Sequence, residues 1–501
     1  MNPDQVDVSK PPSPFPLPSS RSPLPAHDMS PEEFRKHGYA VIDWIADYLH
    51  KPDKWPVLPA MRPGDLRGAL PPSPPEEGES MEAILADFQN FIVPATTHWN
   101  HPAFMAYFAN SATAAGVLGE ALTAALNVNA MLWRTSPAAT ELELLTMDWL
   151  RQMLGLPASF FGVIADTASS NTLYALAAAR EVRPKLRIRE HGTVARTDLP
   201  PMYIYCSEEA HSSVDKAVMT LGFGLNALKK IATDDRLRMD PKELAAVVER
   251  DQHAGALPFA VVATVGTTST TAIDPVREIA DICAKHKMWL HVDASYGGIA
   301  AILPEMRHAL DGCDRADSLV VNPHKWLFTP MDCSALYTRH PDLLKRAFQH
   351  VPEFLTVKEG EGVANLMDYG IALGRRFRAL KLWFVIRNFG VDGLRSLIRE
   401  HIRIARQLAQ WIDADPELER MAEVNFSTVV FRHCPAGMKG RELDAHNARL
   451  LEKLLEAREV YLSHTRVRGS YALRLAIGNI HTTEAHVRRA LELVKEAAGT
   501  A

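Results

Sequence analysis

The chain predicts an α/β fold: a large domain on a mainly parallel sheet, a helical segment before it and a small α+β domain after it. Two observations carry this. The middle of the chain alternates short, uninterrupted apolar runs with amphipathic helical stretches, the pattern of strands covered on both faces. From about residue 391 the pattern changes to long amphipathic helices around one pair of strand-like runs.

Residues 1–27 are rich in Pro and Ser, have little to bury and read as a disordered leader. A helix is expected over 30–49, opened by Ser30 with Pro31, Glu32 and Glu33 in its first turn. A proline-rich connector over 52–75 and a second helix over 80–91 follow. These belong to a helical segment, 28–113, whose apolar stripes are expected to bury against another subunit. In the large domain, 114–390, residues 161–164 read as an apolar turn. Strands are expected at 202–206, 259–265, 288–292, 318–321 and 334–337, with helices at 170–180, 214–221 and 275–286. The small domain, 391–501, should hold a strand pair at 426–431 and 472–476 and a closing helix.

Composition excludes several function classes. A net charge of −5 over 501 residues provides no basic stripe for nucleic acid or an anionic membrane. No stretch is apolar enough to span a bilayer, and the N-terminus lacks a signal-peptide core. The five cysteines are odd in number and without a CxxC pair, as in a cytoplasmic protein with reduced thiols. The twenty histidines show no zinc-ligand spacing, so no metal is expected. Gly222-Phe223-Gly224 resembles a dinucleotide fingerprint but follows a helix rather than a strand.

The chemistry-bearing residues fall just beyond the expected strands, where a wound sheet binds its ligand. Lys325 follows the run 318–321 and is flanked by Pro323, His324, Trp326, Leu327 and Phe328. An apolar setting favours its neutral amine, which condenses with aldehydes; the alternative is a lysine snorkelling to the surface. Asp293 ends another apolar run, and a buried carboxylate needs a cation, either a pyridinium or an arginine. Together the two suit pyridoxal 5′-phosphate (PLP), which needs a lysine to anchor it and an acid at its ring nitrogen. Thr167 to Asn171 open an alanine-rich helix, which makes either a phosphate site or an ordinary cap. His211 could stack on a cofactor ring or be satisfied by backbone.

With these residues in place, the chain resembles the group II PLP-dependent decarboxylases, specifically the aromatic-L-amino-acid decarboxylase family. The resemblance runs from about Met29 to about Val494. It rests on Thr97-His98-Trp99-Asn100-His101-Pro102, on Ser136 to Glu143, on Ala210-His211-Ser212-Ser213 and on Thr264-Val265-Gly266-Thr267-Thr268. It rests also on His291-Val292-Asp293-Ala294, Asn322-Pro323-His324-Lys325-Trp326 and Leu373 to Arg378. What it implies is a fold type I PLP enzyme, acting as a homodimer on an aromatic amino acid. Lys325 would anchor the cofactor, Asp293 would pair with its ring nitrogen and His211 would stack on the ring. Ala168, Ser169 and Asn322 would hold the phosphate. Thr268 and His324 would lie near cofactor or substrate, and Trp99, Tyr107, Phe108 and Met331 would line the side-chain pocket.

One departure bears on the product. Family decarboxylases carry a tyrosine in a mobile Pro-x-Tyr-Leu loop, where this chain has Pro352-Glu353-Phe354-Leu355. Phe354 has no hydroxyl with which to protonate the substrate carbon after CO2 leaves. The resemblance therefore implies decarboxylation to an amine or, alternatively, an aromatic aldehyde synthase that uses dioxygen and releases aldehyde, CO2, ammonia and hydrogen peroxide. A more distant rival is a PLP aminotransferase, which should provide an arginine for the substrate carboxylate.

Overall fold

The computed structural model describes residues 28–350 and 363–499. Two compact units are distinguished, Met1–His101 and Pro102–Ala501.

In the first unit the helix Pro31–His50 opens where expected. The Ser30 hydroxyl accepts the Glu33 N–H at 3.2 Å, and the Glu33 carboxylate accepts the Ser30 N–H at 2.9 Å. That reciprocal cap satisfies two donors the first helical turn would otherwise leave bare. Trp44 stacks on Tyr48 and meets Phe88 edge-on, with centroids 5.2 and 4.9 Å away. No residue of the helix is fully buried in the chain, and Phe34, Tyr39 and Ile42 stand exposed. The second expected helix is Met81–Asp87, continued by a π-helical turn, Phe88–Ile92.

The second unit is built on seven strands: β1 (Phe161–Ala165), β2 (Met202–Ser207), β3 (Leu228–Ile231), β4 (Leu257–Thr264), β5 (Trp289–Asp293), β6 (Ser318–Val321) and β7 (Ser334–Thr338). Their order is β1-β7-β6-β5-β4-β2-β3. Every pairing from β6 through β5, β4 and β2 to β3 is parallel. β7 is antiparallel to both β1 and β6, so β1 runs the same way as β6. The carboxyl ends of β1, β2, β4, β5 and β6 therefore share one edge, where such a sheet binds ligands. All residues of β5, β6 and β7 are buried, which explains their unbroken apolar character.

Two features of the large sheet depart from expectation. Residues 161–164 form strand β1 rather than a turn, because Gly162 is there for close packing. A Cβ at Gly162 would come within 2.6 Å of Met147 Cε and 2.7 Å of Tyr337 Cε1. The edge strand β3 was not expected at all. Its Leu-Lys-Lys-Ile sequence is short and carries two lysines, as edge strands that resist further pairing do.

The helix Ala379–Asp413 is interrupted at Gly390, whose φ of 63° suits a residue without a side chain. Beyond it lie β8 (Leu418–Arg420), β9 (Thr428–His433), β10 (Ser463–Val467) and β11 (Ser470–Ala476), an antiparallel sheet in the order β10-β11-β9-β8. The expected pair is β9 with β11, Leu473 facing Phe431. Among the described residues no helix is long and apolar enough to cross a membrane.

A buried ion pair fixes the end of β1. Arg375 Nη2 lies 2.7 Å from Glu143 Oε1, which also accepts the Ile164 N–H at 2.9 Å. Arg375 in turn donates to the Ile164 carbonyl at 2.8 Å and the Ala130 carbonyl at 3.2 Å. Both backbone groups of Ile164 are thus held by the two charges, just ahead of Thr167. Glu143→Ala leaves the guanidinium buried and uncompensated, and should cost about 3–5 kcal/mol in denaturant unfolding. A loss under about 1 kcal/mol would contradict this account of the pair.

Candidate active site

Lys325 lies in the one-turn helix Pro323–Trp326 that follows β6. Its Nζ donates to Ser295 Oγ at 3.1 Å and sits 5.2 Å from the centroid of the Phe108 ring. Burial lowers its pKa from the ordinary lysine value; Asp293 opposes that shift and Arg474 adds to it. The amine is thereby biased toward its neutral, nucleophilic form.

Asp293 ends β5 and is only 4% exposed. Its Oδ1 accepts the Ser295 N–H at 3.0 Å, so Ser295 touches both the carboxylate and the lysine. His211 follows β2, and its Nδ1 accepts the Ser213 N–H at 3.1 Å. The neutral ring therefore carries its proton on Nε2. His211 is exposed, yet the atoms packed around it lower its pKa, with Asp293 opposing and Lys325 assisting. Lys325, Asp293 and His211, from three different strand ends, thus form one electrostatic group.

Ala168 and Ser169 form the first turn of the helix Ala168–Glu181. The N-cap, Thr167, makes no side-chain cap bond, so no hydroxyl competes for the N–H groups that a phosphate would take. Asn322 is buried beside it in a chain of hydrogen bonds. Asn171 Nδ2 donates to Ser334 Oγ at 2.8 Å, and Ser334 donates to Asn322 Oδ1 at 2.6 Å. That occupies the acceptor end of the Asn322 amide and leaves its donor end to offer. His324 is buried, and its Nδ1 accepts the Cys333 N–H at 2.9 Å. Burial pushes its pKa down to about 4, so it too is a neutral Nε2–H donor.

The expected pocket residues divide. Phe108 is buried and stacked on Tyr296, with centroids 3.8 Å apart. Tyr107 and Met331 are exposed; the Tyr107 hydroxyl meets the Tyr461 hydroxyl at 3.1 Å, and Asn110 Nδ2 approaches Met331 sulfur at 3.5 Å. The Thr268 side chain is exposed, while its carbonyl accepts from Arg474 Nε at 2.9 Å. Trp99 belongs to the other compact unit, Met1–His101. Phe354 lies outside the described residues.

Sequence reading missed Arg474, Ser295 and Tyr296. Arg474 comes from β11, is 3% exposed, and lies with its guanidinium carbon 4.5 Å from the Phe108 centroid. Its Nη1 donates to the Tyr107 carbonyl. Its Nη2 is buried with no partner among the described residues. An arginine in the middle of Leu473-Arg474-Leu475-Ala476, an otherwise apolar strand, was the signal that could have found it.

The arrangement fits PLP. The half-buried lysine lies beside a carboxylate at strand ends, and a helix N-terminus without a side-chain cap lies along the same edge. Arg474 Nη2 and Asn171 Oδ1 are buried polar atoms with no partner among the described residues. An arginine at the site also suits an aminotransferase, so its presence does not separate that rival from a decarboxylase.

The comparisons do separate them. The pyridoxal-dependent decarboxylase conserved domain matches residues 63–434. The chain is 40% identical over 489 residues to tyrosine decarboxylase 4 of Petroselinum crispum, covering 95% of each. It is 39% identical over 485 residues to phenylacetaldehyde synthase of a Rosa hybrid cultivar, covering 93% of this chain and 94% of that one. The crystal structure of Oryza sativa TDC with PLP and tryptamine superposes with a TM-score of 0.90 at 36% identity, covering 95% of this chain and 99% of that one. The chain belongs to the pyridoxal-dependent decarboxylases, as a fold type I lyase of the aromatic amino acid decarboxylase type with pyridoxal 5′-phosphate as its cofactor.

Proposed function

We propose that this enzyme decarboxylates aromatic L-amino acids to the corresponding amines and CO2, as a homodimer in the cytoplasm. The observation that carries the chemistry is the meeting of Lys325, Asp293 and His211 near Arg474, whose Nη2 has no partner among the described residues. The aromatic class rests on similarity to relatives described as tyrosine, tryptophan and aromatic-L-amino-acid decarboxylases.

PLP, when bound, supplies an aldehyde carbon for amines and a ring that accepts the electron pair released as CO2 departs. The chain's own groups do the rest. Lys325 offers a neutral amine, steadied by Ser295, to anchor the cofactor and afterwards to carry protons. Asp293 holds a proton at the ring nitrogen, which keeps the ring an electron acceptor. His211 covers one face with a neutral imidazole. Ala168, Ser169 and Asn322 take the phosphate. Arg474 Nη2 orients the substrate carboxylate, while His324, Thr268, Tyr107, Phe108 and Met331 surround the substrate. The final step needs an acid to protonate the substrate's α-carbon.

A second reading is favoured by one specific observation: the phenyl ring of Phe354 cannot supply that proton. On this reading dioxygen reacts before protonation, and the products are aldehyde, CO2, ammonia and hydrogen peroxide. The near-equal identities to a tyrosine decarboxylase and a phenylacetaldehyde synthase support keeping both readings.

The dimer is supported by apolar surface left bare in the single chain. Leu118, Leu122 and Leu126 form an exposed stripe at helical spacing on the helix Ala114–Leu126, and Phe34, Tyr39 and Ile42 are exposed on Pro31–His50. A single-chain mass by light scattering would overturn it. The cytoplasm suits five cysteines with no disulfide among them.

Product analysis of the PLP-loaded enzyme with phenylalanine, tyrosine, tryptophan and dopa in air tests both readings. Amine without peroxide is the expected result of the leading reading; aldehyde with matching peroxide establishes the second. In the second case Phe354→Tyr should raise the amine-to-aldehyde ratio at least tenfold. An unchanged ratio would remove Phe354 from the explanation.

A further inference from the structure

At the far end of the helix Ala168–Glu181 lies a cavity of about 250 Å³ with an unusual charge balance. Five arginines line it, Arg180, Arg183, Arg187, Arg189 and Arg346, against two carboxylates, Glu181 and Glu190. The whole chain, by contrast, carries a net charge of −5. The helix rises about 1.5 Å per residue, so Arg180 stands roughly 18 Å from the turn at Ala168. The cavity is therefore separate from the candidate active site.

Three of the five guanidinium groups are committed. Arg346 Nε pairs with Glu181 at 2.8 Å. Arg183 donates to the Lys287 carbonyl at 2.8 Å, and Arg189 to the Gln349 carbonyl at 2.6 Å and to the carbonyl of Arg346. The other two are not. Among the described residues neither the Arg180 nor the Arg187 guanidinium has a hydrogen-bond partner. Arg180 is half-buried, and that burial lowers its pKa, with Glu181 only partly opposing. A guanidinium losing water without gaining acceptors is costly, and an anion with several oxygens removes that cost.

We propose that this cavity is a second ligand site, which binds a compact phosphorylated small molecule through Arg180 and Arg187. A phosphate group fits because two planar forks on different segments need several acceptor oxygens, more than one carboxylate offers. The volume admits a phosphate ester or diphosphate and excludes a macromolecule.

The test uses PLP-loaded full-length enzyme with inorganic pyrophosphate as probe, at matched ionic strength with chloride as control. Calorimetry should find one saturable site per chain, with a raised Tm that chloride does not reproduce. Arg180→Ala and Arg187→Ala should each weaken binding at least tenfold while leaving turnover unchanged. Arg187 is exposed, so its variant reports on binding without endangering the fold. Lys185→Ala, a nearby change outside the cavity lining, should bind as the parent does. Absence of saturable binding would overturn the proposal, as would binding that survives both arginine substitutions.

Discussion

The active site depends on a buried stack of side chains that ties Lys325 to both halves of the second unit. Trp326, its neighbour, stacks on Tyr296 with centroids 4.8 Å apart, and Tyr296 stacks on Phe108 at 3.8 Å. The Arg474 guanidinium caps the column on Phe108. Polar tips pin it at the sides: Trp326 Nε1 donates to His401 Nδ1 at 3.1 Å, and the Tyr296 hydroxyl meets Ser427 Oγ at 2.6 Å. The segments that follow β5 and β6 supply Tyr296 and Trp326, the small sheet supplies Arg474, and Phe108 lies between them. An offset aromatic stack is stiff and dry, so it sets the direction of the lysine and shields it in part from water.

That dryness sets the electrostatics. Burial lowers the Lys325 pKa, Asp293 pulls it toward the charged form, and Arg474 pushes it back. The opposed charges bracket the amine, and Ser295 bridges lysine and aspartate. His211 and His324 are each fixed as Nε2–H donors by a backbone N–H on Nδ1. The site therefore offers donors in set directions without adding a charged imidazolium beside the lysine.

Much of this was legible in the sequence. Continuous apolar runs marked β2, β4, β5, β6 and β7, because strands buried on both faces need no polar alternation. Lys325 and Asp293 stood out because charges beside such runs are rare. β1 was misread, since a glycine required by close packing looks the same in sequence as one required by a turn. β3 was too short and too charged to show a strand period. Arg474 shows in the sequence only as a charge inside an apolar run; its role comes from packing between the small sheet and Phe108, hundreds of positions away, which that run does not record. Tyr296 and Ser295 likewise matter only through stacking and hydrogen bonds that the fold creates.

The central claim is that burial, bracketed by Asp293 and Arg474, holds the Lys325 amine in its reactive form. The rate at which PLP is taken up by cofactor-free enzyme, followed by absorbance across pH, measures that amine directly. The account predicts a midpoint below 10.5, the ordinary lysine value. It predicts that Arg474→Gln moves the midpoint upward, while Arg474→Lys, which keeps the charge, leaves it near the parent. A midpoint at 10.5 or above, or one that Arg474→Gln does not move, would contradict it.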